Sequence, residues 1–257
     1  MLTAGIDMGS RATKVVVLRD GAILGHAIGI SGFDATATAR ELLEAALEQA
    51  GVTRGDLRSI VATGTGRDEA PEKTRTLTEV GCAARAALHL FPDTRTVIEV
   101  GAEEGRAVRC DEQGRVIDFA VNEKCAAGAG AFAEAMARAL EVSLEELGPL
   151  SLRSEKAIPM NAQCAVFAES EVVSMIHANV AKADMARAVH DAMASRIVSM
   201  VRRVGLAPAV TLLGGLARNV GFVESLRRGL EVTSLHIPAD PELGGALGAA
   251  LAAARDS

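Results

Sequence analysis

The sequence predicts an α/β protein made of two domains that share one architecture. The chain opens with a short apolar strand that ends on an acid and a glycine, "TAGIDMG", and continues into a β-branched run, "TKVVVLR". The same order returns about 90 residues later in "TVIEVGAEEG" and "RAVRC". Glu99 and Gly101 therefore repeat Asp7 and Gly9, which indicates a duplicated structural unit.

The first half of the chain contains signals for two further strands and two helices. "AILGHAI" is an apolar run that forms two hairpins with the strands before it. A helix is predicted from the N-cap residue Asp34 to Gly51, with its leucines on one face. "SIVATGTGR" predicts a strand that enters a glycine-rich turn, and an alanine-rich helix follows from about Thr78 to Leu90.

In the second half, a third predicted strand, "VIDFA", follows "TVIEV" and "RAVRC", and several helices come after it. Phe132, Met136 and Leu140 recur every four residues after the glycine-rich run "KCAAGAGAF", which predicts a helix. "AVTLL" predicts a strand that enters a turn at Gly214 and Gly215, and the chain ends in a helix of small residues. The apolar face of a long helix before that strand comprises Met185, Val189, Met193, Ile197, Met200 and Val204.

The length of 257 residues suits one large domain or two small ones. We expect the first domain to span residues 1–94 and to be completed by the C-terminal helix, at about 241–257. The second domain is then expected to span residues 95–240 and to contain Cys125 and Cys164.

Composition excludes several classes of protein. Aromatic residues make up 2% of the chain, with no Trp or Tyr, so recognition of nucleic acid by base stacking is not expected. A net charge of -6 also argues against a nucleic-acid partner. The sequence contains no run of about 18 apolar residues and no leader-like start, so we expect a cytoplasmic protein without a membrane partner. Four widely spaced cysteines do not suggest a disulfide framework.

The stretch "DMGSRATK" has the residue types of a phosphate-binding hairpin. Asp7 can hold Mg²⁺ or orient water, Gly9 and Ser10 let backbone amides approach phosphate oxygens, and Lys14 follows on the returning strand. Ordinary turn chemistry explains a lone Asp-x-Gly hairpin equally well. Its repetition at Glu99 and Gly101, together with the Gly214 and Gly215 turn, favours a clamp for a metal-bound nucleotide.

Six motifs carry a resemblance to known families. "GIDMGS", "EVGAEEG", "LLGGLARN" and "GALGAAL" resemble the superfamily of acetate and sugar kinases, heat-shock-70 proteins and actin. Within it, "VNEKCAAGAGAF" and "NAQCAVFAESEVVSMI" resemble the BadF/BadG/BcrA/BcrD type of ATPase. Members of that type activate 2-hydroxyacyl-CoA dehydratases or serve as ATPase subunits of benzoyl-CoA reductase. The resemblance covers nearly the whole chain and implies an actin-like ATPase of two ribonuclease-H-like domains, with ATP in the cleft.

One motif departs from the family pattern. The second phosphate motif of the family is Asp-Ile-Gly-Gly-Gln-Asp, whereas this chain has "EVGAEEG". Glu99 keeps the carboxylate and adds a methylene, and Ala102 replaces a glycine that allows close backbone approach. The change favours the benzoyl-CoA reductase branch and raises the question of whether this chain hydrolyses ATP as fast as its relatives.

The resemblance also implies a function, an ATP-hydrolysing electron carrier. Such a protein holds one 4Fe–4S cluster through Cys125 and Cys164 of each of two chains, because a two-fold axis doubles two thiolate ligands into four. It binds ATP with Mg²⁺, receives electrons from ferredoxin or flavodoxin and delivers them to a catalytic dehydratase or reductase component. Its chains form a homodimer or a pseudo-symmetric heterodimer. The implied catalytic residues are Asp7 and Glu99, and the implied cofactor-binding residues are Gly9, Ser10, Lys14, Gly101, Gly128, Gly130, Glu169, Gly214 and Gly215.

Other interpretations of the same residues stay open. Cys125 and Cys164 could be small buried residues at helix starts, and we expect Cys82 and Cys110 to serve packing alone. A zinc site needs four ligands too and usually shows a Cys-x-x-Cys pair, which this chain lacks. A small-molecule kinase of the same superfamily would use Glu103 or Glu104 as a general base. A non-enzymatic actin-like switch is the third alternative.

Overall fold

The computed structural model of the chain describes residues 1–122, 129–160 and 165–255. The chain forms two compact units. One unit comprises Met1–Thr94, Cys110–Ile117 and Glu242–Ser257, and the other comprises Arg95–Arg109 and Asp118–Pro241. Each unit is built on one mixed sheet with helices.

A five-stranded sheet forms the centre of the first unit, in the order β3-β2-β1-β4-β5. The first three strands are antiparallel neighbours, and β4 and β5 continue the sheet in parallel beside β1. The strands are β1 (Leu2–Met8), β2 (Ala12–Arg19), β3 (Ala22–Ile30), β4 (Ser59–Thr63) and β5 (Arg75–Thr76). The helices of this unit are α1 (Ala35–Ala50), α2 (Glu79–Leu90) and α8 (Gly244–Arg255).

The two N-terminal helices begin and end where the sequence predicts. The side chain of Asp34 accepts a hydrogen bond from the backbone N–H of Ala37 at the start of α1, and Gly51 ends the helix in the left-handed conformation. Thr78 caps α2 in the same way. Helix α1 packs its buried face on one side of the sheet, against the even-numbered residues of β1.

Helix α8 lies against the other face of the sheet at unusually close range. A Cβ at Gly5 of β1 would overlap the Ala246 carbonyl, and a Cβ at Gly248 would overlap the Cys82 carbonyl of α2. The hydroxyl of Thr3 donates a hydrogen bond of 3.0 Å to the Ala250 carbonyl. Small residues therefore let α8 contact both β1 and α2, and this contact fixes the start of α8 relative to the end of β1.

The second unit is built on a four-stranded sheet in the order β8-β7-β6-β9. Strand β7 is antiparallel to β6, and β9 is parallel to it. The strands are β6 (Thr96–Val100), β7 (Gly105–Cys110), β8 (Val116–Asn122) and β9 (Val210–Leu213). The helices are α3 (Gly130–Ala139), α4 (Leu144–Ser151), α5 (Ala165–His177), α6 (Lys182–Val204) and α7 (Val220–Leu230).

Helix α6 supplies much of the core of the second unit. Its predicted apolar face is buried apart from Met200, which is partly buried, and it packs with the predicted face of α3. Helix α4 was not predicted, although Ser143 and Glu146 form the capping box that marks its start. None of the described helices is both long and apolar enough to cross a membrane.

His190 is a polar residue buried in this core. It is fully buried on α6, and neither ring nitrogen has a hydrogen-bond partner among the described residues. Its neighbours include Gly221 at the start of α7, where an added Cβ would approach the ring to 2.7 Å. Burial lowers the pKa of His190 to about 4. The charge of Asp191 and the nearby Ala186 backbone oppose this with smaller effects that raise the pKa, and Arg228 adds a small lowering effect.

We predict that a Gly248→Ala substitution destabilises the first unit. Glycine to alanine inside a helix normally stabilises by about 0.5–1 kcal/mol, because the unfolded chain loses freedom. At position 248 the new methyl group would overlap the Cys82 carbonyl, so we expect a loss of about 2 kcal/mol. Urea unfolding measures the difference. Gly55→Ala is the matched control, since its nearest non-neighbouring atom is 3.8 Å away. A Gly248→Ala protein as stable as the control would contradict the packing of α8.

We also predict an acid-dependent loss of stability that depends on His190. The unfolded chain protonates His190 near pH 6.5, whereas the folded chain does so only near pH 4. The free energy of unfolding is therefore unaffected by protonation of His190 above pH 6.5. Between pH 6.5 and pH 4 it falls by about 1.4 kcal/mol per pH unit, about 3 kcal/mol in all, because only the unfolded chain takes up the proton. Denaturant unfolding of His190→Leu should show a shallower decline over this range. His89→Leu, which removes an exposed histidine, is the comparison variant, and a decline as shallow in it as in His190→Leu would contradict the role of burial.

Candidate functional site

The first unit brings an acid and a base together at one end of its sheet. Asp7 and Lys14 lie directly opposite each other on β1 and β2. The Nζ atom of Lys14 lies 3.2 Å from Oδ2 of Asp7, and both side chains are largely buried. The two predicted site residues therefore form an ion pair whose position is set by the register of the hairpin.

Two glycines allow the backbone to approach the Asp7 carboxylate. Gly64 follows β4 with φ of +91°, and a Cβ there would lie 2.7 Å from Oδ1 of Asp7. Gly245 lies in the first turn of α8, and a Cβ there would lie 2.8 Å from Oδ2. Neither residue was predicted as part of the site. The signals available were the "TGTG" turn after a strand and the glycine pair at the start of a helix.

The predicted residues of the intervening turn lie beside this pair. The N–H of Gly9 donates to the Ala12 carbonyl over 3.2 Å, and the Gly9 carbonyl accepts a 2.8 Å hydrogen bond from the hydroxyl of Ser31. A Cβ on Gly9 would lie 3.3 Å from Nζ of Lys14. Ser10 is exposed at the tip. The turn thus leaves its tip open to solvent while its base is held by hydrogen bonds.

The second unit repeats the acid–base pair with different residues. Glu99 on β6 lies opposite Arg106 on β7, with 3.1 Å between Oε2 and Nη1. Arg106 also forms an ion pair with Glu104. In both units the base follows the acid by seven residues, from Asp7 to Lys14 and from Glu99 to Arg106. That spacing could have identified Arg106, which was not predicted as a site residue.

The turn after β6 is bonded to the start of α3. The N–H of Gly101 donates to the Glu104 carbonyl over 2.9 Å, which closes the turn. The N–H of Gly130 donates to the Gly101 carbonyl over 2.9 Å, and that of Ala131 donates to the Ala102 carbonyl over 2.7 Å. Two amides of the first turn of α3 are therefore engaged by the carbonyls of the turn that follows the Glu99 strand.

Gly214 occupies the same position in the second unit that Gly64 occupies in the first. It follows β9 with φ of +86°, and a Cβ there would overlap the Val100 carbonyl at the end of β6. Its own N–H donates to the Pro241 carbonyl over 2.8 Å. Around Gly215 no other part of the described chain comes within 4 Å of the Cβ position. Gly214 is thus a packing contact beside Glu99, and Gly215 is open.

The remaining predicted residues are separate from these groups or undescribed. Cys125, Cys164 and Gly128 lie outside the described residues. Glu169 is exposed on α5, and no hydrogen bond or ion pair within the described chain joins it to Glu99. The predicted packing cysteines, Cys82 and Cys110, are both buried, and neither forms a disulfide with another described residue.

The described residues can bind magnesium only together with a nucleotide that supplies further ligands. Over residues 1–122, 129–160 and 165–255, no group of three or more His, Cys, Asp or Glu could hold a metal ion by itself. Mg²⁺ commonly binds through one carboxylate, several waters and the phosphates of a substrate. Asp7 can supply such a carboxylate, so the site suits Mg²⁺ that arrives with a nucleotide.

Curated relatives match almost the whole chain. The 2-hydroxyisocaproyl-CoA dehydratase activator of Clostridioides difficile is 37% identical over 98% of this chain and 94% of its own. A benzoyl-CoA reductase subunit from Thauera aromatica is 32% identical over 97% of this chain and 92% of its own. Overall identity therefore gives no preference to the reductase branch, which the altered second motif favoured.

Solved structures agree with the predicted actin-like fold. Component A of (R)-2-hydroxyglutaryl-CoA dehydratase from Acidaminococcus fermentans has a TM-score of 0.93 at 34% identity, over 100% of this chain and 98% of its own. The activator of the 2-hydroxyisocaproyl-CoA dehydratase from Clostridium difficile, with bound ADPNP, has a TM-score of 0.90 at 37% identity, over 98% and 94%. A hexokinase from Thermus thermophilus, at 17% identity and a TM-score of 0.57 over 100% and 99%, shares the fold alone.

The family model of the BadF/BadG/BcrA/BcrD ATPases matches residues 4–253. This range includes both acid–base hairpins and the glycine turns beside them. The resemblance drawn from the motifs is thereby confirmed, as is the expectation of an ATPase. The chain belongs to the BadF/BadG/BcrA/BcrD ATPase family.

Proposed function

We propose that the chain is an ATP-hydrolysing iron–sulfur electron carrier. It passes low-potential electrons from ferredoxin or flavodoxin to a separate acyl-CoA dehydratase or benzoyl-CoA reductase component. The names of the dehydratase activator and the reductase subunit support such a catalytic partner. The activator structure with bound ADPNP supports adenine nucleotide as the ligand.

The two hairpins supply the charged groups that ATP turnover requires. In our proposal Asp7 orients a water molecule or hydrated Mg²⁺, and Lys14 neutralises phosphate charge. Exposed Ser10 offers its backbone amide to phosphate oxygens, and Gly9, whose own N–H is bonded to the Ala12 carbonyl, lets the phosphate approach the turn closely. Glu99 is the second carboxylate. In the cofactor-binding role proposed for the remaining glycines, Gly101 and Gly214 shape turns whose own N–H groups are already bonded, and Gly215 is open to contact the nucleotide. Phosphoryl transfer depends mainly on positioning and electrostatics, and the buried Asp7–Lys14 pair provides both.

The single observation that carries the proposal is the link between the Glu99 turn and α3. Gly130 and Ala131 donate directly to the carbonyls of Gly101 and Ala102. Cys125 precedes Gly130 by only five residues. A displacement of the turn by a bound phosphate would therefore move the helix that follows the first cysteine motif. Gly128 and Gly130 act in this segment, which connects nucleotide to cluster.

Cys125 and Cys164 are the proposed ligands of a 4Fe–4S cluster, and Cys164 directly precedes the start of α5 at Ala165. Four thiolates are needed, so we propose a homodimer or a pseudo-symmetric heterodimer that contributes two from each chain. Helix α5 carries apolar side chains that a single chain leaves uncovered. Val166 and Phe167 are 68% and 74% exposed, and Val173 and Ile176 are also exposed. When bound, the cluster supplies one-electron chemistry that no amino-acid side chain of this protein offers.

ATP is needed because the acceptor reaction requires electrons at a potential that the donor does not reach unaided. A nucleotide shifts the balance between two conformations only by its difference in affinity for them. In our proposal Glu169, exposed on α5, helps to couple nucleotide state to the second cysteine motif. The chemistry on the acyl-CoA takes place in the partner component.

We predict that protein purified without oxygen contains about four irons and four sulfides per two chains, with a brown colour that dithionite bleaches. Cys125→Ser and Cys164→Ser should each abolish the cluster, because each substitution removes two of four ligands from a symmetric dimer. Iron and sulfide analysis with visible spectroscopy measures this. Cys110→Ser is the matched control, since Cys110 is buried at the end of β7 and is not a proposed ligand, so its loss should leave the iron content unchanged.

Two results would overturn the cluster assignment. A colourless dimer without iron would remove the electron-carrier function and leave the family ATPase activity to be explained otherwise. A Cys125→Ser protein that kept a full cluster would show that the ligands lie elsewhere in the chain.

We further predict that Gly64→Ala lowers ATP turnover strongly. The added methyl group would lie 2.7 Å from Oδ1 of Asp7, at a φ of +91° that alanine rarely adopts. A displacement of about 1 Å at a reacting group costs about 100-fold in rate, so we expect a fall of one to two orders of magnitude in kcat. Gly66→Ala is the control, because its nearest contact is a methionine Cβ at 3.3 Å and its φ is ordinary. Equal turnover in the two variants would contradict the role of Asp7.

A further inference from the structure

Arg106 is a buried base shared by two acids. One guanidinium nitrogen lies 3.1 Å from Oε2 of Glu99, and the other is paired with Glu104. Its side chain is only 12% exposed, as is typical of an arginine with a fixed position. Glu99 lies on β6 and Glu104 lies in the turn after it, so Arg106 ties the acid to the turn.

This arrangement explains how the altered motif can work. In the first unit a short acid, Asp7, meets a single ammonium group on Lys14. In the second unit the acid is longer by a methylene, and its partner is a planar fork with several donors. The guanidinium group of Arg106 can bind the longer Glu99 carboxylate through one nitrogen and Glu104 through another. A lysine has a single ammonium group and would fix the two carboxylates less precisely. The longer acid at position 99 and the larger base at position 106 therefore fit each other.

The contacts of the turn extend the effect of Arg106 to α3. The turn is closed by the bond from Gly101 N–H to the Glu104 carbonyl, and its carbonyls accept hydrogen bonds from Gly130 and Ala131. Arg106 thus restrains both the carboxylate of Glu99 and the support of the first turn of α3. Without the guanidinium, Glu99 gains rotamers and Glu104 loses its ion pair.

We propose that Arg106 is a positioning residue of the ATPase reaction, which holds the Glu99 carboxylate and the Gly101–Glu104 turn in the geometry that turnover requires. This inference rests on the proposed function, because it assumes that Glu99 serves the nucleotide. It assigns Arg106 no contact with the nucleotide. A fixed carboxylate affects the rate of the chemical step more than the affinity for ATP, since binding also uses the groups of the other hairpin.

Steady-state ATP turnover of four variants tests this proposal. The variants are Arg106→Gln, Arg106→Lys, Glu104→Gln and, as a matched control, Arg109→Gln. Arg109 lies on the same strand and is exposed. We expect kcat of Arg106→Gln to fall about 100-fold, with KM for ATP changed less than about threefold. Arg106→Lys should recover at least a tenth of the wild-type kcat, Glu104→Gln should show an intermediate loss, and Arg109→Gln should match the wild type.

Different results separate the inference from the proposed function. If the wild type turns over ATP and Arg106→Gln keeps its kcat, the positioning role is wrong while the ATPase stands. If KM rises and kcat is unchanged, Arg106 acts in binding, which also overturns the proposal. A wild-type protein that binds ATP but does not hydrolyse it would contradict both the positioning role of Arg106 and the proposed function. Thermal unfolding of each variant identifies misfolding, and Glu104→Gln tests the same contact if Arg106→Gln does not fold.

Discussion

The close backbone approach at two glycines is the constraint on which the rest of each unit depends. Gly64 packs against the Met8 carbonyl, and Gly214 packs against the Val100 carbonyl. Each glycine has a positive φ and follows a parallel strand: β4 beside β1 in the first unit, and β9 beside β6 in the second. Any side chain at these positions would separate the parallel strand from the end of the hairpin. Because neither carries one, each sheet presents its acid, its hairpin turn and a glycine turn at one edge.

The two units carry different acid–base pairs on this shared backbone. In the first unit, Asp7 forms an ion pair with Lys14, and the residues next to its carboxylate, Gly64 and Gly245, have no side chains. In the second, Glu99 is held by Arg106, which is also paired with Glu104. A duplicated scaffold thus keeps the seven-residue spacing of acid and base while the side chains diverge. The two hairpins therefore differ in the length of the acid and in the number of acids that the base contacts.

The sequence predicted those features that depend on local signals. Alternation located the hairpins, Asp34 and Gly51 located the limits of α1, and the helical period identified the buried face of α6. Features that depend on tertiary contact were missed. Arg106 looked like one of several charged residues on a strand, since only its register with Glu99 gives it a role. Gly245 looked like part of a small-residue helix, since its contact with Asp7 joins residues far apart in sequence. Strand β5 is two residues long and leaves no periodic pattern.

The first turn of α3 has a physical role that its sequence alone does not show. A helix N-terminus attracts anions because its first amides lack partners. Two of those amides in α3 have partners already, namely the carbonyls of Gly101 and Ala102. The start of α3 is therefore bonded to the turn that follows Glu99, so a change at that turn reaches α3 through hydrogen bonds of 2.9 and 2.7 Å. Gly130 suits this contact because a Cβ there would already lie 3.3 Å from the Gly101 carbonyl. The small residue at this position thus serves a mechanical connection, which an anion-binding turn alone would not require.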